Sequence, residues 1–240
     1  MENKKDFRIF AFGDPHLSFS QEKPMDIFGA KWKDHDSKIR SACLSEIKED
    51  DYIIVAGDIS WALKIEDAMP DLNWVDSLPR KKIIIKGNHD LWWHGITKLN
   101  KLYENTYFMQ YDHFMITDEL AICGTRGWLL PGEDGYKEAD GKITKREVMR
   151  LKMSLEGAVK EGAKNIICAM HFPPAINPNK DNEFTKIIAE YPVSQLVYGH
   201  LHGSNSYNKG IKGNHNNTIY NLVSIDYLDF KPLLIYDSAM

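Results

Sequence analysis

The chain has 240 residues, of which 43% are apolar and 27% charged, and its formal charge is −4. These values are ordinary for a soluble globular protein with a substantial core. The acidic balance and the lack of a long basic run argue against a protein whose affinity comes from duplex phosphates. No repeat, low-complexity linker or composition shift divides the chain, so we expect a single domain over residues 1–240 and no nucleic-acid partner.

The amino-terminal residues and the cysteines indicate a cytoplasmic protein. The segment from Met1 to Phe7 is too polar for a signal peptide, and no apolar run approaches membrane-spanning length. The three cysteines lie far apart without a CxxC pair, and two of them sit in apolar runs. We therefore expect reduced thiols in the core, a cytoplasmic location and no membrane partner.

Strands and helices alternate along most of the chain. Strands are predicted near 7–13, 52–57, 82–87, 119–124, 165–170, 195–199, 218–224 and 232–236, and helices near 36–49, 64–76, 94–104, 144–161 and 182–190. The helix from 144 has the best support, because Thr144 and Glu147 have capping-box spacing and Val148, Leu151, Leu155 and Val159 form one apolar stripe. Alternation predicts an α/β fold, and the two last strands predict an antiparallel edge on a mixed sheet or a second sheet.

The first predicted strand ends in Asp14-Pro15-His16. Proline at 15 favours an extended Asp14, and residues two apart in an extended segment face the same way. Asp14 and His16 would then converge on one point. The alternative is a helix start with Asp14 as N-cap and Pro15 at the first helical position.

Two further strands end in comparable clusters. The second ends in Gly57-Asp58, which alone is weak evidence because aspartate is common in turns. The third ends in Gly87 followed by Asn88, His89 and Asp90. If that segment stays extended, Asn88 and Asp90 face one way and His89 the other.

Histidines follow the strands near 165–170 and 195–199. His171 comes directly after the first of these, and His200 and His202, two residues apart, come after the second. Ligands bind at the carboxyl ends of strands in open α/β sheets. Imidazole nitrogens with carboxylate and amide oxygens suit Mn, Fe or Zn, whereas a structural zinc site would be rich in thiolates. Seven candidate ligands are too many for one ion and suit two ions that share a carboxylate.

These motifs resemble the ordered blocks of the calcineurin-like metallophosphoesterase superfamily. The blocks are matched by Asp14-Pro15-His16, Gly57-Asp58, Gly87-Asn88-His89-Asp90, His171 and Gly199-His200-Leu201-His202. The resemblance implies a sandwich of two mixed β-sheets flanked by helices, in α-β-β-α layers, with a binuclear metal centre at the strand ends. It implies that Asp14, His16 and His202 hold one ion, that Asn88, His171 and His200 hold the other, and that Asp58 bridges them.

The implied chemistry is hydrolysis of a phosphomonoester or phosphodiester by a hydroxide that bridges the two divalent ions. His89 is the candidate general acid for the leaving oxygen, and Asp90 either orients His89 or caps a helix that begins near Leu91. Arg126, after the fourth strand, is a candidate phosphate or substrate contact or else a surface-loop arginine. Trp61, Trp92, Trp93 and Trp128 lie just downstream of the motifs, either in the core or around an aromatic pocket.

Departures from the protein serine/threonine phosphatases of this superfamily put phosphoprotein specificity in doubt. Asp90 stands where those enzymes have a glutamate, and Lys86 where they have an arginine. We therefore expect a phosphoesterase acting on a small phosphorylated substrate. The alternatives are a nuclease of the same superfamily, disfavoured by the acidic balance, and a non-catalytic scaffold, disfavoured because no ligand is missing.

Overall fold

The computed structural model describes residues 6–177 and 180–240 and contains two β-sheets that pack face to face. The first sheet consists of β1 (Arg8–Phe12), β2 (Tyr52–Ala56), β3 (Lys81–Ile85), β4 (Thr106–Met109) and β11 (Leu233–Asp237), in the order β11-β1-β2-β3-β4. The second consists of β5 (His113–Met115), β6 (Leu120–Thr125), β7 (Asn165–Met170), β8 (Val193–Tyr198), β9 (Gly213–His215) and β10 (Thr218–Leu222), in the order β5-β6-β7-β8-β10-β9.

Both sheets are mixed. Strands β1 to β4 run parallel, and β11 pairs antiparallel with β1 at the edge. In the second sheet β6, β7, β8 and β10 run parallel, with β5 and β9 antiparallel at the two edges. The two carboxy-terminal strands thus separate: β10 joins the second sheet and β11 forms the antiparallel edge of the first.

Helices cover the outer face of each sheet. The first sheet carries α1 (His35–Glu46), α2 (Ile65–Asp76) and the short α3 (Ile96–Leu99); the second carries α4 (Asp140–Glu161) and α5 (Glu183–Ala189). Side chains alternate across each strand, so Ile9 and Ala11 of β1 lie between the sheets while Phe10 and Phe12 pack against the helical layer. The predicted four-layer α-β-β-α sandwich is confirmed.

Two local predictions are wrong. Thr144 and Glu147 do not form a capping box, because α4 begins at Asp140, with Ala139 as an N-cap that makes no side-chain hydrogen bond. Both residues lie within α4 and have buried side chains, and the Thr144 hydroxyl donates to the carbonyl of Leu129 (2.8 Å). The helix predicted near 94–104 is reduced to the four residues of α3, and β4, β5 and β9 were not predicted.

The predicted apolar stripe and core thiols are found in the core. Leu151 and Leu155 of α4 are fully buried and Val148 nearly so, although Val159 at the end of the stripe is 42% exposed. The three cysteines are buried and free. Among the residues described here, no helix combines the length and apolar character needed to span a membrane.

Shortening Leu151 to alanine should destabilise the fold by about 2–5 kcal/mol, because its fully buried side chain leaves a cavity between α4 and the second sheet. Met149 lies on the same helix but is 66% exposed, so Met149→Ala should change the unfolding free energy by less than about 0.5 kcal/mol. Urea unfolding of both variants measures the difference, and equal destabilisation would contradict the assigned packing of α4.

Candidate metal centre

Seven polar side chains meet at the edge of the sandwich where the parallel strands end. Asp14 and His16 follow β1, Asp58 follows β2, Asn88 follows β3, His171 follows β7, and His200 and His202 follow β8. A cavity of about 380 Å³ opens over them and is lined by His16, Asp58, His200 and His202 among others. Because the strands come from both sheets, the site lies across the top of the interface between them.

The donor atoms fall into two groups with ligand-like spacing. Within the described residues, the donor atoms of Asp14, His16 and His202 lie within 4.8 Å of one another, and those of Asp58, His171 and His200 do likewise. These groups match the division that the resemblance implied, apart from the shared Asp58 and from Asn88, which is in neither of these groups of aspartate and histidine donors.

Asn88 belongs with the second group. Its Oδ1 lies 2.8 Å from Nε2 of His171 and 2.9 Å from Nδ1 of His200. Nδ1 of His171 lies 2.9 Å from the carbonyl of Ala56. In this arrangement Nδ1–H donates a hydrogen bond to the carbonyl, and in the neutral ring the lone pair of Nε2 points towards Asn88.

Asp58 lies between the two groups. Its Oδ2 is 3.4 Å from Nε2 of His171 and 3.9 Å from Nε2 of His16. Its Oδ1 accepts a hydrogen bond from the amide of His89 (2.8 Å), which fixes the orientation of the carboxylate. One oxygen of Asp58 therefore faces both groups, as a bridging ligand must.

The donor set fits a pair of divalent cations. Nε2 of His16 and Nε2 of His202 are only 3.2 Å apart, and Nδ1 of His16 is buried and has no hydrogen-bond partner among residues 6–177 and 180–240. Asp14, Asp58 and His171 are also buried. Buried carboxylates and crowded imidazoles without matching donors are costly unless a cation neutralises them.

Four of the seven side chains are carried by backbone in the left-handed region. The φ angles are +61° at Asp14, +47° at His16, +51° at Asp58 and +71° at His200. Asp14 is therefore not extended, and the prediction that it converges with His16 through an extended segment is wrong, as is the alternative of a helix start. The two converge because their amides bond to the carbonyls of Gly57 (2.9 Å) and Asp58 (3.0 Å). Non-glycine residues in this region carry strain that is typical of functional sites.

Glycines let backbone come close to two of these side chains. A Cβ added at Gly57, where φ is +86°, would lie 2.6 Å from Nδ1 of His171, and one added at Gly199 would lie 2.5 Å from Oδ2 of Asp14. Gly57 and Gly199 are thus required by the close packing of the His171 and Asp14 side chains.

Charge coupling inside the cluster sets its protonation. Burial alone would raise the pKa of Asp58, but His171 and His16 hold it well below its ordinary value. Burial alone would lower the pKa of His171, yet Asp58 and Asp14 raise it to about 9. Burial and the neighbouring His171 lower the pKa of His200 to about 3. The cluster thus combines an ionised Asp58 carboxylate with a protonated His171 and a neutral His200.

Asp90 does not orient His89. Its fully buried carboxylate instead accepts hydrogen bonds from the loops after β2 and β3. The donors are the amides of Gly87 (2.7 Å), Ile59 (2.8 Å) and Ser60 (3.2 Å) and the indole of Trp92 (3.1 Å). Asp90 also caps no helix, since the next one, α3, begins at Ile96. The carboxylate fixes the two loops that carry Asp58 and Asn88.

Asp226 is a site residue that the sequence reasoning missed. Its Oδ1 lies 2.9 Å from Nδ1 of His202, and its Oδ2 accepts from Tyr207 (2.6 Å) and Lys31 (3.1 Å). This bond orients the ring so that Nε2 of His202 faces Asp14, 3.7 Å from its Oδ1. Asp226 also follows a strand, β10, at the same edge, a signal that could have drawn attention to it.

His89 lies at the cavity, outside the two groups of donors. Its ring centroid is 4.3 Å from that of Trp61, which also stacks on His16 at 4.7 Å. Burial lowers the pKa of His89 in spite of the nearby Asp58. Of the four tryptophans considered from the sequence, only Trp61 lines this cavity, while Trp92 and Trp93 are buried in the core.

Arg126 does not reach this cavity. Its guanidinium lies 3.7 Å from Glu147 of α4 and 4.3 Å from the ring of Trp128, and it lines a separate pocket together with Lys86. Arg126 follows β6 at this sheet edge, as predicted. It is separated from His200, which follows β8, because β7 lies between β6 and β8.

Asp226→Asn should lower metal affinity roughly 10–100-fold, because removing the carboxylate from Nδ1 of His202 frees the ring and lowers its basicity. Asp229→Asn is the matched control, since Asp229 is exposed and close in sequence. Manganese titration by calorimetry compares the two. An unchanged affinity in Asp226→Asn would show that the contact does not support a ligand.

Metal loading should release protons at about pH 7, because His171 has a pKa of about 9 and must be neutral to coordinate. Because protons compete with the metal below that pKa, the apparent affinity should rise by roughly tenfold per pH unit for each proton released, up to the region of that pKa. Titration in two buffers of different ionisation enthalpy counts the protons. Identical heats in both buffers would contradict the assignment.

Comparison with known proteins places the fold in one family. A model of the calcineurin-like phosphoesterase family matches residues 7–204. Phosphopantetheinyl hydrolase (PptH) from Mycobacterium tuberculosis is 13% identical with a TM-score of 0.50 over 96% of each chain. The protein TT1561 of Thermus thermophilus is 10% identical with a TM-score of 0.53, over 82% of this chain and 83% of that chain. A further solved structure is 14% identical with a TM-score of 0.58, over 96% and 99%.

No curated relative matches the chain significantly. The match to the family covers most of the chain and includes all seven side chains of the cluster. This chain belongs to the calcineurin-like phosphoesterase family.

Proposed function

We propose that this protein is a metal-dependent phosphoesterase that hydrolyses a phosphomonoester or phosphodiester bond of a small substrate at a binuclear centre. The observation that carries the proposal is the pair of adjoining donor groups with one oxygen of Asp58 facing both. Asp14, His16 and His202 would hold one ion, and Asn88, His171 and His200 the other. The nitrogen and oxygen donors suit Mn, Fe or Zn.

Two divalent ions bound there would supply an activated water near neutral pH and neutralise the charge of the phosphate oxygens. The chain itself keeps the donors in place: Asp226 holds His202, the carbonyl of Ala56 holds His171, and the amide of His89 holds Asp58. Preorganised ligands of this kind lose little freedom when the site is filled.

His89 is the proposed donor to the leaving oxygen. It is the imidazole at the cavity that belongs to neither donor group, and its side chain packs against Trp61. With its pKa lowered by burial, the ring is mostly neutral at about pH 7 and can still donate one N–H hydrogen bond to developing negative charge.

The walls of the cavity favour a leaving group with an apolar or aromatic part. Trp61, Trp32, Met25 and Phe28 also line the cavity, and Phe28 is 61% exposed. Aromatic faces of this kind stack on rings or bury aliphatic chains. The name of the M. tuberculosis structure also describes a hydrolase, which is consistent with this proposal.

A panel of two esters tests the reaction class. We expect p-nitrophenyl phosphate or its bis ester to be hydrolysed when Mn or Zn is present and not when EDTA is present. The preferred ester separates monoesterase from diesterase activity. Failure of both esters with every metal would favour a non-catalytic scaffold, and cleavage of oligonucleotides in preference to either ester would favour a nuclease.

Two variants separate metal binding from hydrogen-bond donation to the leaving oxygen. Asp58→Asn should lower both metal content and turnover, because it removes the negative charge between the two donor groups. His89→Asn should lower turnover by roughly 10²–10⁴-fold and leave both ions in place. Elemental analysis and steady-state kinetics measure the two properties. Loss of metal from His89→Asn would contradict its role outside the ligand set.

A further inference from the structure

A second pocket of about 210 Å³ lies at the same edge of the sandwich, separate from the metal centre. It lies where β3, β4 and β6 end and α4 passes over them. We call it the basic pocket; its charged and polar lining residues are Lys86, Gln110, Arg126, Arg146, Glu147 and Arg150.

Cations outnumber anions in the basic pocket by four to one. Glu147, whose side chain is 1% exposed, is the single carboxylate among the described residues that line it. Oε1 of Glu147 accepts from Arg150 at 2.8 Å, and Oε2 accepts from the Thr125 hydroxyl at 2.6 Å. Arg126 and Arg146 are both 3.7 Å from Oε1, too far for a good hydrogen bond. Among the described residues that line the pocket, one carboxylate therefore serves four cations, which leaves an excess of positive charge.

Two of the cations retain unused donors. In the part of the chain that the structure describes, the buried Nε of Arg126 has no hydrogen-bond partner, and the guanidinium packs against the face of Trp128 at 4.3 Å. Within the described residues, Lys86 makes neither a hydrogen bond nor an ion pair. A buried donor without a partner in a pocket lined by cations indicates a ligand that accepts hydrogen bonds and carries negative charge.

We propose that the basic pocket binds a phosphate group, as a second anion site beside the metal centre. Arginine forks match phosphate oxygens bidentately, and three arginines with a lysine converge here. The volume is below the roughly 300 Å³ at which sites for drug-sized ligands begin. It therefore suits a phosphate or diphosphate group and not a whole nucleotide.

The pocket is linked to the metal centre through the backbone. Lys86 precedes the proposed ligand Asn88 by two residues, and the carbonyl of Arg126 accepts from the amide of His171 (3.1 Å). The bound phosphate comes either from the far end of the substrate, in which case this inference rests on the proposed function, or from a free anion. Both sources present the same chemistry to the arginines.

Calorimetric titration of pyrophosphate tests the site. The full chain is used after treatment with chelating resin, so that the metal centre contributes no phosphate binding. Arg146→Glu reverses a charge on a half-exposed side chain with little risk to folding, and Arg150→Gln removes the cation that lies closest to Glu147. Lys142→Gln removes a charge from the same helix outside the pocket and is the matched control.

We expect pyrophosphate to bind the wild type and Lys142→Gln alike, and each pocket variant to bind roughly tenfold or more weakly. No binding by the wild type, or equal binding by Arg146→Glu and the wild type, would overturn the proposal. Thermal unfolding of each variant tests whether it is folded. If Arg150→Gln does not fold, the binding measured with Arg146→Glu decides the result.

Kinetics of the manganese-loaded enzyme then distinguish the two sources. If the phosphate belongs to the substrate, Arg146→Glu raises KM for a substrate with two separated phosphate esters, such as a nucleoside 3′,5′-bisphosphate, and leaves KM for p-nitrophenyl phosphate unchanged. If it is a free anion, neither KM changes although pyrophosphate binding is weakened. An enzyme inactive on every ester would contradict the proposed function alone, because the binding measurement does not depend on turnover.

Discussion

The structure depends on parallel strands from two facing sheets ending at one edge. Strands β1, β2 and β3 of the first sheet and β7 and β8 of the second each bring a donor to that edge. No single loop of ordinary length could supply seven donors to one place. The apolar layer between the sheets, with Ile54 and Ile167 near its middle, fixes the distance between the two sets of loops. The spacing of the two donor groups is therefore a property of the sandwich core.

The loops that carry the donors adopt an unfavourable backbone conformation, which hydrogen bonds between neighbouring loops stabilise. Left-handed backbone at four donor residues is unfavourable by about 1–3 kcal/mol each unless the surroundings impose it. Here the amides of Asp14 and His16 bond to the loop after β2, and the Asp90 carboxylate bonds to both that loop and the one after β3. Each loop is thus fixed by its neighbour, and none would keep this shape alone.

The sequence predicted which residues reach the edge much better than how they are held there. Strand positions followed from short apolar runs, so the placement of Asp58, Asn88 and His171 after strand ends required only local information. The left-handed φ of Asp14 could not be predicted from local sequence, because it arises from a hydrogen bond to Gly57 in the loop after β2. Asp226 was missed because its contact with His202 spans 24 residues, and its position after β10 alone does not reveal that contact. The prediction that Asp90 orients His89 relied on their being adjacent in sequence, whereas the Asp90 carboxylate bonds to Ile59, Ser60, Gly87 and Trp92.

The net charge of the chain proved a poor guide to local charge. The chain carries −4 in total, yet Lys86, Arg126, Arg146 and Arg150 surround one carboxylate in the basic pocket. Arg146 and Arg150 lie four residues apart on one face of α4, whereas Lys86 and Arg126 arrive from different sheets. Such a cluster is invisible to a count along the chain, because folding and not sequence spacing assembles it. Since the metal centre and the basic pocket lie at one edge, ions bound at the first and arginines at the second would together create a positive field suited to an anion with two separated charges.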